Sequence, residues 1–260
     1  GSIARCRCDY TFRMATSLLS DRFSAHRFVD SSGFALPYRR LDPFTSRPIT
    51  SLASPDPVPL VVLLHGAGER GDDNQAQLGN GAAELLATDE RRAAFPCVYV
   101  LPQCPQGHRW VEVDWTAASH HIPPQPSQPL AALLALLDML LTDSRIDARR
   151  IYLLGLSMGG FGVWDLLVRR PQLAAAAVTI CGGGEEAQAA LIAHVPIWTF
   201  HGEKDPVVAV TRSRNMVAAL SQAGATPRYT EYPGVGHDAW WQVWAEPTLL
   251  PWLLARQNPR

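Results

Sequence analysis

A serine between two glycines is the side chain of this sequence best placed to act as a nucleophile. Residues 155–159 read Gly-Leu-Ser-Met-Gly, directly after the apolar run 151–154 and before the apolar stretch 161–167. This G-x-S-x-G pattern between a strand and a helix is typical of a sharp turn that exposes the serine hydroxyl above a sheet. Glycines suit the flanking positions because the chain can pass closely where there is no Cβ. Ser157 is therefore the candidate nucleophile.

A carboxylate and a histidine follow Ser157 in the order that such chemistry needs. Asp205 lies in the loop after the predicted strand 195–202, and His237 follows the predicted strand 228–232. Both come after the carboxyl ends of their strands, the edge where open α/β sheets gather their reactive groups. In this arrangement His237 would take the Ser157 proton as general base, and Asp205 would fix the imidazole tautomer and stabilise the imidazolium.

Two neighbouring residues compete with these assignments. His201 also stands at a strand end, but it precedes the acid in the chain, so we interpret it as structural. Asp238 follows His237 directly and cannot readily point at the ring of its neighbour. Asp205 therefore remains the preferred acid.

Two backbone N–H groups are candidates for an oxyanion hole. The N–H of Met158 lies at the start of the predicted helix, where it can face a developing negative charge. A second donor is expected from residues 65–68, His-Gly-Ala-Gly, which follow the apolar strand 60–64. The N–H of Ala67 is the preferred partner, and that of Gly68 is the alternative.

The same loop also fits a dinucleotide-binding fingerprint. Residues 66–71 read G-x-G-x-x-G after a strand. However, residues 72–75, Asp-Asp-Asn-Gln, are typical of a loop and not of the apolar helix that the fingerprint needs. This alternative would also leave Ser157, Asp205 and His237 unexplained, so we favour the oxyanion loop.

Four stretches together resemble the α/β hydrolases: residues 65–74, 155–164, 201–208 and 232–240. More narrowly, the chain resembles serine carboxylesterases related to feruloyl esterases, polyhydroxybutyrate depolymerases and prolyl-oligopeptidase-type hydrolases. The resemblance implies an α/β-hydrolase fold, and it leaves the substrate open because that group acts on acetyl, feruloyl, short aliphatic and polyester substrates.

The order of the predicted elements agrees with an α/β fold. Antiparallel edge strands are predicted within residues 26–40, and a proline-rich connection over 43–59. After the strand 60–64 we predict a helix over 77–88, a strand over 97–101, a helix over 130–141, the strand and helix around Ser157, a strand over 175–180, the Asp205 strand, a helix over 211–223, the His237 strand and a closing helix. This alternation predicts a mostly parallel sheet with helices on both faces.

Composition favours one globular domain and excludes some partners. The chain has 260 residues, 47% hydrophobic and 18% charged, which suits a single catalytic domain over residues 26–260. Residues 1–25 are interpreted as a tag or extension and an N-terminal arm, with a natural start at Met14. A net charge of −1 argues against nucleic acid or an anionic membrane as partner, and the apolar stretch 130–141 is too short to span a bilayer.

The cysteines favour a reducing compartment. Five are present, Cys6, Cys8, Cys97, Cys104 and Cys181, and no disulfide framework is evident. A bridge between the two that flank the strand 97–101 is the alternative to free thiols. We expect a cytoplasmic protein, or a secreted or periplasmic one if a signal peptide was removed.

Tryptophans are the first candidates for substrate contacts. Trp110 lies in the long loop 102–129, and Trp240 and Trp241 follow the catalytic histidine. Each could line the cleft or pack as an ordinary core aromatic. Gly68, beside the oxyanion loop, completes the candidate set.

No metal or cofactor is expected. The adjacent His120 and His121 have no matching carboxylate cluster, so we interpret them as solvated side chains. Asp72 and Asp73, which precede Asn74, lack the alternating spacing of a calcium loop. Together with Glu69 and Arg70 they are expected to brace the oxyanion loop.

The sequence therefore predicts a serine carboxylic-ester hydrolase that forms an acyl-enzyme at Ser157. Short-chain or aromatic acyl esters are the expected substrates, as small molecules or as esters of carbohydrates or polyesters, because no large hydrophobic lid is evident. The alternatives are a small serine peptidase, an acyltransferase, and a non-catalytic hydrolase fold that binds a ligand. A monomer or homodimer is expected.

Overall fold

The computed structural model describes residues 19–43 and 56–259 of the chain. The predictions for Cys6, Cys8 and the start at Met14, and part of the proline-rich connection, lie outside the described residues. The structural statements below refer to the described part.

One mixed sheet organises the described chain. Its strands are β1 (Ser24–Val29), β2 (Ala35–Leu41), β3 (Val58–Leu64), β4 (Val98–Pro102), β5 (Ile146–Leu156), β6 (Ala176–Ile180), β7 (Ile197–Gly202) and β8 (Arg228–Tyr232). The spatial order is β1-β2-β4-β3-β5-β6-β7-β8. β2 pairs antiparallel with β1 and β4, and the remaining neighbours are parallel. The predicted α/β fold with antiparallel N-terminal edge strands is confirmed.

Burial on both faces explains why the central strands are almost uniformly apolar. β4 and β6 are buried throughout, and so are the C-terminal halves of β3 and β5. Helices cover both faces, as parallel sheets require. Because β3, β5, β6, β7 and β8 run parallel, their carboxyl ends meet at one edge of the sheet.

Helices pack against the two faces of the sheet in separate apolar cores. They are α1 (Ala82–Ala87), α2 (Asp89–Ala94), α3 (Gln128–Leu140), α4 (Met158–Arg169), α5 (Thr211–Gln222), α6 (Trp240–Trp244) and α7 (Leu249–Leu254). Side chains of α3, α4 and α5 share one core, and those of α1, α6 and α7 share the other. Among the residues that the structure describes, no helix is both long enough and apolar enough to cross a bilayer.

Two predicted helices are interrupted. The predicted helix 77–88 is a 3₁₀ turn, Ala76–Leu78, followed by α1, because Asn80 and Gly81 have left-handed φ values of 54° and 78°. The predicted closing helix is divided into α6 and α7, and Pro247 lies between them. Proline lacks the N–H that a continuous helix would use there.

Three elements were not predicted or begin earlier than expected. Helix α2 follows Thr88, whose side chain accepts a hydrogen bond from the Arg91 N–H and so caps the helix. A 3₁₀ segment covers Glu186–Ile192. Strand β1 begins at Ser24, ahead of the predicted domain start at residue 26.

The cysteines of the described chain are free thiols. Cys97, Cys104 and Cys181 are all buried and unbridged. Cys97 packs in the core beside α1, and Cys104 packs in the core on the other face of the sheet. The alternative bridge between Cys97 and Cys104 is therefore wrong, because the sheet separates the two thiols.

Candidate active site

The turn between β5 and α4 holds Ser157 in a strained conformation. Its φ and ψ are 52° and −120°, a region that costs a non-glycine residue of the order of 1–3 kcal/mol. The Ser157 N–H donates to the carbonyl of Ile180, at 2.8 Å, which ties the turn to β6. The serine thus stands above the carboxyl edge of the sheet, half-buried.

Close backbone packing explains the two glycines of the motif. A Cβ on Gly159 would lie 1.9 Å from the carbonyl oxygen of Leu64, at the end of β3. A Cβ on Gly155 would lie 2.2 Å from the carbonyl oxygen of Gly159. Larger residues would push α4 away from the sheet and displace the serine with it.

The structure brings together the three side chains selected from the sequence. The Oγ of Ser157 lies 2.8 Å from Nε2 of His237, and Nδ1 of His237 lies 2.7 Å from Oδ2 of Asp205. The imidazole therefore donates from Nδ1 to the carboxylate and accepts the serine hydroxyl at Nε2. The His237 side chain is 19% exposed, whereas the Asp205 side chain is fully buried.

Backbone and side-chain donors surround the Asp205 carboxylate. Its Oδ1 accepts the N–H groups of Val207 and Val208, at 2.8 and 2.9 Å. Burial alone would raise the pKa of Asp205, but hydrogen bonds from His201, His237 and these N–H groups hold that pKa well below its ordinary value. The acid is therefore ionised at neutral pH.

His201 and Cys181 lie against the same carboxylate. The Nε2 of His201 is 3.2 Å from Oδ2 of Asp205, and the buried Cys181 thiol lies beside the same carboxylate. Burial raises the pKa of the Cys181 thiol to about 12. The ligand atoms of these three residues lie within 4.8 Å of one another and could surround a metal ion. The hydrogen bond from His237 and the contact with His201 satisfy this carboxylate without a metal ion. Asp238, the alternative acid, is exposed.

The two candidate oxyanion donors begin helical segments. Met158 is the first residue of α4, and Ala67 is the first residue of the 3₁₀ turn Ala67–Glu69. The first N–H groups of a helix have no partner within it, so both are available to a ligand. The loop adjoins the serine, since a Cβ on Gly66 would lie 3.5 Å from Cβ of Ser157. Gly68, the alternative donor, is exposed beside it.

A buried histidine fixes the start of this loop. His65 donates from Nδ1 to the Gly66 carbonyl at 2.6 Å and accepts the Cys104 N–H at Nε2, at 2.9 Å. Trp110 donates from its indole N–H to the His65 carbonyl, at 3.1 Å. Burial lowers the pKa of His65 to about 4, so the ring is neutral at pH 7.

The predicted bracing by polar residues is present on the other side of the loop. Arg70 donates to the Ala67 carbonyl at 2.9 Å, and Glu69 accepts from Asn80 at 2.7 Å. Gln103 donates to both Asp73 and the Glu69 carbonyl, at 2.7 and 3.1 Å. The loop is therefore held rigid from both ends.

The interpretation of Trp110 as a pocket residue is wrong. Its side chain is fully buried and packs under α4, where a Cβ on Gly162 would lie 2.8 Å from Cβ of Trp110. The long loop 102–129 turns inward at Trp110, where the indole N–H donates to the His65 carbonyl. A large apolar residue in a loop gives no sequence signal that separates these two roles.

The two later tryptophans lie nearer to solvent. Trp240 is half-buried, and its ring meets the His237 imidazole edge-on at a centroid distance of 5.6 Å. Trp241 is 39% exposed and lines a cavity of about 290 Å³ together with Gly81, Leu85 and Trp244. Trp240 thus adjoins the candidate site, whereas the lining of the Trp241 cavity contains none of Ser157, Asp205 and His237.

The interpretation of both loop histidines as solvated is wrong for His120. Its Nδ1 accepts a hydrogen bond from the guanidinium of Arg212 at 2.5 Å, and burial lowers its pKa to about 4. His121 is 93% exposed, although its Nδ1 lies 2.9 Å from Glu185. Arg212 is fully buried and also donates to the Ala117 and Gly184 carbonyls. No motif marks Arg212, because its partners are distant in sequence.

Trp110 and Trp241 form a matched pair for testing the burial difference. We expect Trp110→Phe to lower the free energy of unfolding by about 2 kcal/mol, because it removes a buried hydrogen bond and leaves a cavity. Trp241→Phe should change it by less than about 0.5 kcal/mol, as exposed substitutions do. Equal effects in chemical denaturation would contradict the placement of Trp110 in the core.

His65 should make stability depend on pH. The unfolded chain protonates this residue near its ordinary pKa of 6.5, whereas the folded chain keeps it neutral down to about 4. The unfolded state therefore binds more protons in this window, and the free energy of unfolding should fall by about 3 kcal/mol as pH drops from 6.5 to 4. Chemical denaturation of wild type and His65→Gln across this pH range measures the fall in the free energy of unfolding. If the free energies of unfolding of the two proteins differed by the same amount at every pH, the result would contradict a buried, neutral His65.

The chain is similar to known hydrolases in part of its sequence and in its structure. Residues 114–240, which include Ser157, Asp205 and His237, match the Dienelactone hydrolase family. No curated protein matches the chain. Among solved structures the chain is similar to a thermostable esterase, with a TM-score of 0.83 and 38% identity over 92% of this chain and 64% of that one. The chain thus spans less than two thirds of that esterase.

Two further structures share the fold at low identity. A ferulic acid esterase matches with a TM-score of 0.65 and 16% identity, over 90% of this chain and 98% of that one. An acylaminoacyl peptidase matches with a TM-score of 0.61 and 13% identity, over 92% of this chain and 42% of that one. The sheet order, the turn at Ser157 and these matches show that the chain has the α/β-hydrolase fold.

Proposed function

We propose that the protein is a serine carboxylic-ester hydrolase that acts through an acyl-enzyme. The observation that carries the proposal is the continuous line of hydrogen bonds from Ser157 through His237 to Asp205. The similarity to the thermostable esterase supports an ester as the bond that is cleaved. Neither observation requires a cofactor for the reaction.

The first half of the reaction acylates the serine. As Ser157 Oγ bonds to the ester carbonyl carbon, its proton passes to Nε2 of His237 and the carbonyl π electrons move to the oxygen. The N–H groups of Ala67 and Met158 stabilise this oxyanion. The tetrahedral intermediate then collapses: the bond to the alcohol oxygen breaks, and His237 protonates the departing alcohol.

The second half regenerates the enzyme. Water attacks the acyl carbon while His237 again accepts a proton, and the same two N–H groups hold the second oxyanion. The bond to Ser157 Oγ breaks, the oxygen recovers its proton from His237, and the carboxylic acid leaves. Asp205 stays ionised throughout and stabilises the imidazolium in both steps.

Small esters with a short aliphatic or aromatic acyl group are the proposed substrates. Ser157 is half-buried and His237 is 19% exposed, so the reacting atoms lie close to solvent. Trp240 offers an aromatic wall beside the histidine. These features suit a short acyl or an aromatic group on a small molecule, a carbohydrate or a polyester chain end.

An ester series tests the reaction and the substrate class together. We expect chromogenic acetate and butyrate esters to be hydrolysed faster than laurate, with methyl ferulate and a peptide anilide assayed alongside. Ser157→Ala should lower kcat by about 10⁴-fold or more, since loss of a triad nucleophile has effects of that order. Ser221→Ala, at an exposed serine of α5, is the matched control and should retain wild-type turnover.

Each other result would change the proposal in a defined way. Faster turnover of laurate than of butyrate would contradict the short-acyl assignment. Cleavage of the anilide without any ester turnover would indicate a peptidase instead. Absence of turnover in folded wild-type protein would contradict catalysis and favour a binding role.

A further inference from the structure

A second histidine touches the oxygen of Asp205 that binds His237. His201 lies near the end of β7 with its side chain fully buried. Its Nε2 is 3.2 Å from Oδ2 of Asp205 and 2.9 Å from the carbonyl oxygen of Val208. Both neighbours can only accept a hydrogen bond, so this nitrogen carries a hydrogen. It donates that hydrogen to the Val208 carbonyl and lies against Oδ2 of Asp205.

The other ring nitrogen of His201 is also occupied. Its Nδ1 lies 2.7 Å from the hydroxyl of Ser213, a buried residue in the first turn of α5. The same hydroxyl lies 3.4 Å from the carbonyl oxygen of Gly182, in the loop after β6. The ring is therefore fixed between β6, β7 and α5 and cannot turn its Nε2–H away from Asp205.

The other ionisable groups near this ring already have partners of their own. Glu231 pairs with His201 in the register of β7 and β8, but its carboxylate binds the guanidinium of Arg214 at 2.6 and 2.9 Å. The Cys181 thiol, after β6, faces Asp205. His237 contacts the carboxylate from the side of Ser157. Asp205 is thus the carboxylate that lies against the Nε2–H of His201.

We propose that His201 is a positioning residue of the hydrolytic site, which holds Oδ2 of Asp205 in line with His237 and divides the charge of that oxygen between two imidazole rings. The proposal rests on the proposed function, because it acts through the triad. His201 does not reach Ser157 or the substrate, and it acts only through the carboxylate.

Loss of the Nε2–H should change His237 in two ways. With one donor fewer on Oδ2, the carboxylate carries more charge toward His237 and stabilises its protonated form. His237 would then be protonated up to a higher pH. The carboxylate would also be freer to turn, so the imidazole would be oriented less well for proton transfer.

Two amide variants separate the donor from the burial of a polar group. In His201→Gln the side-chain amide can reach the position of Nε2, whereas in His201→Asn it is too short and can reach only toward Ser213. Both amides are neutral and polar. Thr199→Val is the control for a lost polar contact in the core. It removes a buried hydroxyl on the same strand, and this hydroxyl bonds Thr179 and not Asp205.

The measurement is the pH profile of kcat/KM for a short-chain chromogenic ester. The acidic limb of this profile reports the protonation of the catalytic base in the free enzyme. We expect His201→Asn to move this limb upward by about one pH unit, a tenfold change in the protonation equilibrium, and to lower kcat by on the order of 10- to 100-fold. His201→Gln should restore the limb to near the wild-type position. Thr199→Val should leave it unmoved.

If the acidic limb of the pH profile does not move in His201→Asn, or moves to lower pH, the proposal is overturned even if kcat falls. A purely structural role would lower activity or stability without shifting this limb to higher pH. If thermal unfolding shows that His201→Asn is not folded, His201→Met serves as the second donor-free variant under the same criterion. The loss of ester turnover in Ser157→Ala tests the proposed function without involving His201. Failure of this proposal is therefore distinguishable from failure of the proposed function.

Discussion

A buried carboxylate is costly unless hydrogen-bond donors surround it, and the structure of this site depends on how Asp205 meets that requirement. The polar hydrogens around it come from different parts of the fold: the N–H groups of its own loop, His237 after β8 and His201 on β7. Only a parallel arrangement, with the carboxyl ends of neighbouring strands side by side, brings these donors to one point. The sheet order thus allows the buried acid to stay ionised.

The same edge of the sheet supplies donors that are fixed before any substrate arrives. The backbone at Ala67 is held by Arg70 on one side and by His65 and Trp110 on the other. Met158 is fixed by the close contact of α4 with the end of β3. Donors that need no reorganisation stabilise a developing charge most effectively, which gives these core contacts a direct bearing on the chemistry.

The local part of this architecture could be predicted from sequence. The G-x-S-x-G turn, the apolar strands and the residues that follow them are short-range signals, and the predicted strands and the fold are confirmed by the structure. The motif, the order of the residues and their positions after predicted strands selected Ser157, Asp205 and His237, which the structure places in hydrogen-bond contact.

What sequence reasoning missed depends on contacts between distant segments. Trp110 turns inward to contact His65, and the half-buried His120 is held by Arg212, whose position no motif marks. The break in the predicted helix 77–88 depends on the left-handed Asn80, whose carbonyl accepts a hydrogen bond from Trp244 in a helix far along the chain. Periodicity and spacing carry no information about such partners.

Covalent trapping of the nucleophile tests the central claim most directly. Incubation with a chromogenic alkyl phosphonate, followed by mass spectrometry of the intact protein and its peptides, should give one adduct per chain, located on Ser157. The adduct should form far more slowly in His237→Ala, because the hydroxyl then lacks its base. An adduct on another residue, or equal rates of labelling in wild type and His237→Ala, would contradict the account.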